Sequence, residues 1–368
     1  MKGIYVHIPF CRVICTYCDF IKEVAKPKRH RRYVEALCRE IAMAADRLNG
    51  ATTLYLGGGT PSLLDDDDLR LIFDAIAEVI LPASLQEVTI EANPEDITEA
   101  KAALFKRLGI NRVSLGVQTF HPDALRFLRR THEPADVFQA VLRLQTAGIM
   151  NINLDLIFAL PNQTMAELRH DLDEIVRLDP THVSAYSLIV EEGTRLKTLI
   201  DQGEVTPADE DTEADMFNAV IDTLTTHGYT HYEISNFAKP SCESAHNRMY
   251  WENREYVGLG VGAHGHEGNR RLLNTPRVKD YLERLENHTS PVVADDPDEG
   301  IKDTLIMGLR LREGVSLKTM HTRHGVDVFT HYPALEKARD NGLIEVVKGN
   351  LRLTHKGMLL GNEVFMIF

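Results

Sequence analysis

The chain has 368 residues, is 43% hydrophobic and 26% charged, and carries a formal net charge of −13. These proportions describe an ordinary folded protein, too long for one small core, and suggest about two domains. The acidic balance argues against bulk nucleic-acid binding, which needs a basic face, and no apolar run reaches the ~18 residues needed to cross a bilayer. The first residues give one lysine, a strand and then cysteines, without the layout of a signal peptide. The expectation is a cytoplasmic protein with reduced thiols. Peripheral membrane contact and a homodimer stay open at this point.

Short β-branched runs alternate with longer helical patterns. Strands are expected at Gly3–Val6, Thr53–Leu56, Glu87–Glu91, Arg112–Gly116, Asn151–Ile157 and His182–Leu188. Helices are expected near Arg31–Leu48, Asp66–Val79, Thr98–Arg107, Ala135–Ala147 and Met165–Val176, each with apolar residues at i, i+3, i+4 and i+7. Strict alternation implies parallel strands with right-handed crossovers. About six units predict an α/β fold with a partial (βα)6-type barrel, short of the eight that close a full one. A seventh unit is expected from Glu213–Thr226 and Tyr229–Ile234. The stretch from Asn236 to Gly268 is rich in Gly, His and Asn and lacks helical period, so it reads as a functional loop. Thr289–Asp298, rich in Pro and Asp, reads as a boundary. The expected division is residues 1–235, 236–295 and 296–368. The last part should hold helices near Lys302–Leu311, Ser316–His324 and Tyr332–Asn341. A hairpin of Ile344–Val347 and Asn350–Leu353 and a final helix from His355 complete it. That order suggests a winged-helix-like module, and the acidic balance favours a protein-facing or lid role over DNA binding.

Chemistry-bearing residues fall at the ends of the expected strands, as a barrel active site requires. Cys11, Cys15 and Cys18, spaced C-x3-C-x2-C, follow the first strand. Three thiolates on one short loop suit an iron–sulfur cube. A closed zinc site wants four ligands, so zinc needs a distant fourth from Cys38, Cys242 or a histidine. A cube also usually takes four cysteines, so three leave one iron open to a ligand that is not protein. Gly57-Gly58-Gly59-Thr60-Pro61 ends the second strand and lets a ligand approach the backbone closely. Glu91 ends the third strand, Gln118 follows the fourth and Asp155 lies in the fifth, where a charge is costly unless paired. Bland readings of these three are a cap, a turn amide and a core ion pair. His246-Asn-Arg-Met-Tyr250-Trp251 holds the one tryptophan. An imidazole with adjacent aromatics could ligate haem iron and stack on a porphyrin, or could be a histidine beside a core Trp.

The string Tyr5-x-His-Ile-Pro-Phe-Cys11-x3-Cys15-x-Tyr-Cys18-Asp-Phe20, with the Gly57–Pro61 element, resembles the radical S-adenosylmethionine (SAM) superfamily. It resembles the branch that holds the oxygen-independent coproporphyrinogen oxidase HemN and the haem chaperone HemW. The resemblance covers nearly the whole chain, including Tyr232–Phe237 and Gly308–Gly314. It implies a [4Fe–4S] cluster on Cys11, Cys15 and Cys18, with SAM on the open iron and an electron that cleaves it to methionine and a 5′-deoxyadenosyl radical. It places Tyr5, Gly57, Gly58, Gly59, Thr60, Glu91, Gln118, Arg130 and Asp155 along SAM. It links the H-N-x-x-Y-W string, and so His246, Tyr250 and Trp251, to haem. Cys11 stands near the chain start and Cys18 is followed by Asp19 and Phe20, without the oxidase's extension and fourth cysteine. Both departures favour a haem chaperone that serves apo-haemoproteins such as respiratory enzymes. A porphyrinogen oxidase, a related methyltransferase and a cluster-containing binding module without catalysis are the competing readings.

Overall fold

The computed structural model describes residues 2–368. Six strands run parallel in chain order: β1 (Lys2–Ile8), β2 (Ala51–Gly58), β3 (Glu87–Ala92), β4 (Arg112–Gln118), β5 (Asn151–Phe158) and β6 (His182–Ser187). This is the partial (βα)6 barrel that the alternation predicts. Every strand has two unlike faces. Ile4, Val6 and Ile8, Leu54 and Leu56, Val88 and Ile90, Val113 and Leu115, and Leu154 and Leu156 enter the apolar core with the helices. The alternate residues Tyr55, Glu91, Arg112, Ser114, Gln118, Asn153, Asp155, Ser184 and Tyr186 face one cavity instead. Helices therefore cover one side of the sheet, and polar side chains fill the other.

The helix starts show why the crossovers are placed where they are. Thr98 Oγ1 accepts from the Lys101 amide at the head of Glu99–Arg107. Thr164 and Glu167 cap Met165–Leu178 reciprocally, as Glu133 and Asp136 do Pro134–Thr146. Asp66–Val79 matches its expected span. The first helix runs Pro27–Met43, starting earlier than expected because Pro27 fits the first turn, and a short turn Ala45–Leu48 follows.

The structure departs from the sequence reading after β6. The seventh unit is a reversed hairpin: β7 (Thr230–Glu233) pairs in the sheet with β8 (Asn236–Ala238), and β8 runs antiparallel to β6. Asn236–Gly268 is not one loop. It holds β8, the helix Ala245–Trp251, β9 (Tyr256–Leu259) and β10 (His264–Glu267). β9 pairs parallel with β1 at the opposite edge, so the chain crosses the whole sheet to extend it. β11 (Arg270–Asn274) and β12 (Val292–Pro297) continue that edge, so the expected boundary Thr289–Asp298 contains a paired strand. Short elements with few side chains to set a period hid these pairings.

The tail carries the helices Ile301–Gly308, Leu317–His324 and Ala334–Asp340 around a three-stranded antiparallel sheet. β13 (Val315–Ser316) pairs with β15 (Asn350–Leu353), which forms a hairpin with β14 (Ile344–Val347). Helices His355–Leu359 and Gly361–Phe365 close the chain.

Glu40 ties the β9 edge to the first helix. Its buried carboxylate accepts from the Gly260 amide at 2.7 Å, Asn274 Nδ2 at 2.7 Å and the Tyr281 hydroxyl at 2.6 Å. Glu40→Ala leaves the Gly260 amide and the Tyr281 hydroxyl unpaired, takes one of two partners from Asn274 Nδ2, and should lower unfolding free energy by about 3 kcal/mol. Urea denaturation checks this; an unchanged midpoint would show that the edge does not depend on Glu40.

Candidate functional site

The cysteine loop leaves β1 and is fixed at both ends. The Cys11 amide donates to the Glu23 carbonyl at 3.1 Å, and the Glu23 amide to the Pro9 carbonyl at 2.6 Å. Thr16 Oγ1 donates to the Phe127 carbonyl at 2.6 Å, while the Leu196 amide donates to the Thr16 carbonyl at 2.9 Å. The Gly57–Pro61 turn docks beneath the loop, with Gly59 N–H on the Ile8 carbonyl at 2.8 Å and Thr60 N–H on the Phe10 carbonyl at 2.7 Å. Gly58 has φ +114°, and a Cβ there would overlap the His7 ring. A Cβ on Gly59 would lie 2.8 Å from the Phe10 carbonyl oxygen, so only glycine allows this approach.

A cavity of about 440 Å³ opens between this loop and the polar face of β2–β6. Cys11, Cys15 and Cys18 line it, and none of them is in a disulfide. Thr60 Oγ1 lies 3.7 Å from Cys11 Sγ, and Arg130 Nη1 lies 3.7 Å from Cys15 Sγ. Burial pushes the Cys11 thiol up to about 11 and raises that of Cys18. Thiolate charge on this loop therefore needs compensation, which metal coordination supplies. Among the described residues no three His, Cys, Asp or Glu side chains converge on a single-ion site. A cube, in which each thiolate takes a different iron, does not require such convergence. The donor set, the open space beside it and the adjacent Arg130 fit a cubane cluster. Cys38, whose thiol lies 3.5 Å from the Leu71 carbonyl, and Cys242 are not in the cavity wall.

The wall beyond the thiols is polar and ordered. Glu91 accepts from the Tyr55 hydroxyl at 2.8 Å and the Gly58 amide at 2.9 Å, and burial pushes its carboxyl up to about 7. Asp155 accepts from Asn153 Nδ2 at 2.7 Å and Ser114 Oγ at 3.2 Å, and burial raises it as well. Arg130 Nη2 donates to Asn93 Oδ1 at 2.6 Å and to the Gly116 carbonyl at 2.8 Å. Gln118 adopts φ +68° at the end of β4.

Gly58, Gly59, Thr60, Glu91, Gln118, Arg130 and Asp155 thus share one wall with the thiols. Tyr5 and Gly57 stand behind it. The Tyr5 hydroxyl lies 3.0 Å from His7 Nδ1, and His7 Nε2 lies 2.8 Å from the Ile21 carbonyl oxygen. Arg112, Ser114, Asn153, Ser184, Tyr186 and Asn247 also line the cavity and were not singled out from sequence. For the five strand residues the signal was the period-2 alternation of polar residues opposite the apolar face, whereas Asn247 sits on a short helix and had no such signal.

The His246 motif occupies an unexpected place. His246 is fully buried. Its Nδ1 lies 2.8 Å from Thr53 Oγ1, its Nε2 lies 2.8 Å from the Tyr250 hydroxyl, and its ring stacks on Tyr55 with centroids 5.2 Å apart. Both nitrogens are engaged within the fold, so iron ligation by His246 would require one of these hydrogen bonds to break. Trp251 lies under the Arg310 guanidinium, 4.6 Å from its ring centroid. Neither residue lines the cavity, nor does Tyr250, but their neighbour Asn247 does. The motif therefore forms the floor beneath the thiol-lined cavity. Its short helix, i to i+4 contact and interior position are not visible in a string that sequence reading takes as a loop.

Thiol loop, glycine-rich turn and polar wall together define the chain as a radical SAM protein. Residues 5–175 match the profile of the Radical SAM superfamily and residues 295–360 that of the HemN C-terminal domain. The chain belongs to the HemW family: it is 39% identical to heme chaperone HemW of Bacillus subtilis (strain 168), over 100% of this chain and 99% of that one. Against heme chaperone HemW of Escherichia coli (strain K12) the identity is 31%, over 100% and 97%. In fold it is similar to Escherichia coli coproporphyrinogen III oxidase HemN, with TM-score 0.87 and 23% identity, over 100% of this chain and 89% of that one.

Two predictions test this geometry. After anaerobic reconstitution with iron and sulfide, Cys11→Ser, Cys15→Ser or Cys18→Ser should abolish the ~400 nm cluster absorbance, whereas Cys38→Ser and Cys242→Ser should retain it. Burial, with Arg112 adding to it, pushes the His246 imidazole down to about 3 from 6.5. The unfolded chain then binds a proton that the fold refuses. Its contribution to stability is complete above about pH 6.5 and is lost as pH falls toward about 3. His246→Gln should flatten that part of the stability–pH curve; an unaltered slope would remove His246 from the floor.

Proposed function

We propose that the protein is a haem chaperone that binds haem and passes it to apo-haemoproteins, respiratory enzymes among them, in the cytoplasm. In this reading it carries a [4Fe–4S] cluster on Cys11, Cys15 and Cys18, with SAM at the open iron. The observation that carries the reading is the gathering of three thiols, Glu91, Arg130 and Asp155 on one cavity, in a chain 39% identical to a heme chaperone over its full length. The cluster, when bound, supplies an electron and an iron with a free coordination position. Arg130 would offer a planar fork to the SAM carboxylate. Asp155 and Glu91 would accept from ribose hydroxyls or the ammonium, and Gly58–Thr60 would present backbone groups. Tyr5 and Gly57 would support that wall from behind.

The cavity mouth supports a flat apolar ligand. Ile14, Phe20, Tyr186 and Ile189 line it and are 40%, 63%, 41% and 67% exposed. Large apolar side chains left open around a cavity favour an apolar partner there. We place the haem ring at this seat, above the buried His246. In this proposal the tail module faces a partner protein; the expected boundaries at 235/236 and 295/296 fall inside the β7–β8 hairpin and inside β12, so the floor and edge segment stays part of the barrel sheet and the tail begins after β12.

Anaerobic reconstitution followed by haem titration and analysis of SAM products on one sample tests the reading. Stoichiometric haem binding with little porphyrinogen decarboxylation is expected. Porphyrinogen turnover without stable haem binding would make the protein an oxidase. A protein with an intact cluster that binds neither haem nor SAM would be a binding module of another kind.

A further inference from the structure

Arg112 opens β4 on the cavity side of the sheet and is 1% exposed. Its Nε has no hydrogen-bond partner, and among the described residues no carboxylate pairs with its guanidinium. The second guanidinium of the cavity also leaves its Nε unpaired, but its Nη atoms are held: Arg130 meets Asn93, the Gly116 carbonyl and the Cys15 thiol, whereas no hydrogen bond to the Arg112 guanidinium is found among the described residues. The two carboxyls of the cavity wall nearest the floor are already committed, Glu91 to Tyr55 and Gly58, Asp155 to Asn153 and Ser114. Ser114, Asn153 and Asn247 line the same cavity as Arg112. Glu91 and Asp155 are near enough to feel its charge but neither forms an ion pair with it, and a buried guanidinium without hydrogen-bonded anionic partners is costly; this one lines open space.

We propose that Arg112 is an anion subsite on the cavity floor, distinct from the thiol loop and from Arg130, that takes a carboxylate arm of a second ligand bound beside SAM. On the haem reading above, on which this inference rests, the arm is a haem propionate, and the ring lies at the apolar mouth by Ile14, Phe20 and Ile189. A guanidinium suits a carboxylate because its fork can donate two parallel hydrogen bonds.

The test compares haem with its dimethyl ester on the full-length, cluster-reconstituted protein with SAM present. The unaltered protein should bind haem about tenfold or more tighter than the ester, the range of a charge-assisted hydrogen bond. In Arg112→Gln that preference should vanish, with SAM affinity retained. Arg112→Lys should restore part of it, and the acid–ester comparison on the unaltered protein needs no variant to fold. Equal binding of acid and ester, or a preference that survives in Arg112→Gln, overturns the subsite while leaving the haem reading intact. Loss of SAM affinity in Arg112→Gln with haem preference unchanged also overturns it, by assigning Arg112 to the SAM carboxylate. If the unaltered protein binds neither haem nor ester, the haem reading itself falls, and the propionate subsite with it.

Discussion

Glu87 holds the barrel floor in place. It stands on the inner face of β3, and its carboxylate accepts from the Ala245 amide at 2.9 Å and the His246 amide at 3.0 Å. The start of Ala245–Trp251 is thereby fixed against the sheet by two charge-assisted hydrogen bonds. Thr53 and Tyr55 then receive the His246 ring, and Gly3 leaves room for Met249, whose side chain a Cβ would overlap. Without this plug, the polar inner face of β1–β3 would open to water at its lower end. A partial barrel has no closing strands to fill its interior, so a segment from elsewhere in the chain must do so.

The interior is polar by construction, which sets its electrostatics. Arg112 lies among Glu91, Asp155, His182 and His246, and its charge helps keep both histidines neutral. His182 bridges Asn153 and the Tyr232 hydroxyl, at 2.5 and 2.9 Å. Asn153 in turn holds Asp155 at 2.7 Å. A chain of hydrogen bonds thus runs from the β7 hairpin to a carboxylate in the cavity wall. Such a network positions Asp155 more firmly than burial alone, since every member has a partner.

Much of this was legible in the residues. The cysteine spacing, the glycine-rich turn and the 3.6-residue periods locate the thiol loop, its neighbour and the crossovers, because each is a local pattern. The floor was not. His246 reads as a loop residue because Ala245–Trp251 has only two turns and glycines follow it closely. Its partners Thr53 and Glu87 lie far away in sequence. The parallel pairing of β9 with β1 joins residues from the two ends of the barrel, which no local period encodes. Arg112 escaped notice because a basic residue opening a strand looks solvated; only the register that aligns it with Ser114 and Gly116 on one face turns it inward.

The plug also gives the cavity a physical route to the tail. Arg248 pairs with Glu243 and Glu252 beside it and with Glu313 in the tail, at 2.7, 3.2 and 2.6 Å. Trp251, one helical turn from the cavity-lining Asn247, lies against Arg310. The Ile234 amide donates to the Arg310 carbonyl and the Arg312 amide to the Tyr232 carbonyl, so the tail is stitched to the β7 hairpin as well. Asn247 and Trp251 share one short helix, so a ligand that displaces Asn247 must either strain the Glu87 clamp or move the Trp251–Arg310 contact. The clamp has two charge-assisted bonds in the buried floor, whereas Arg248 and Glu313 are part-exposed and screened.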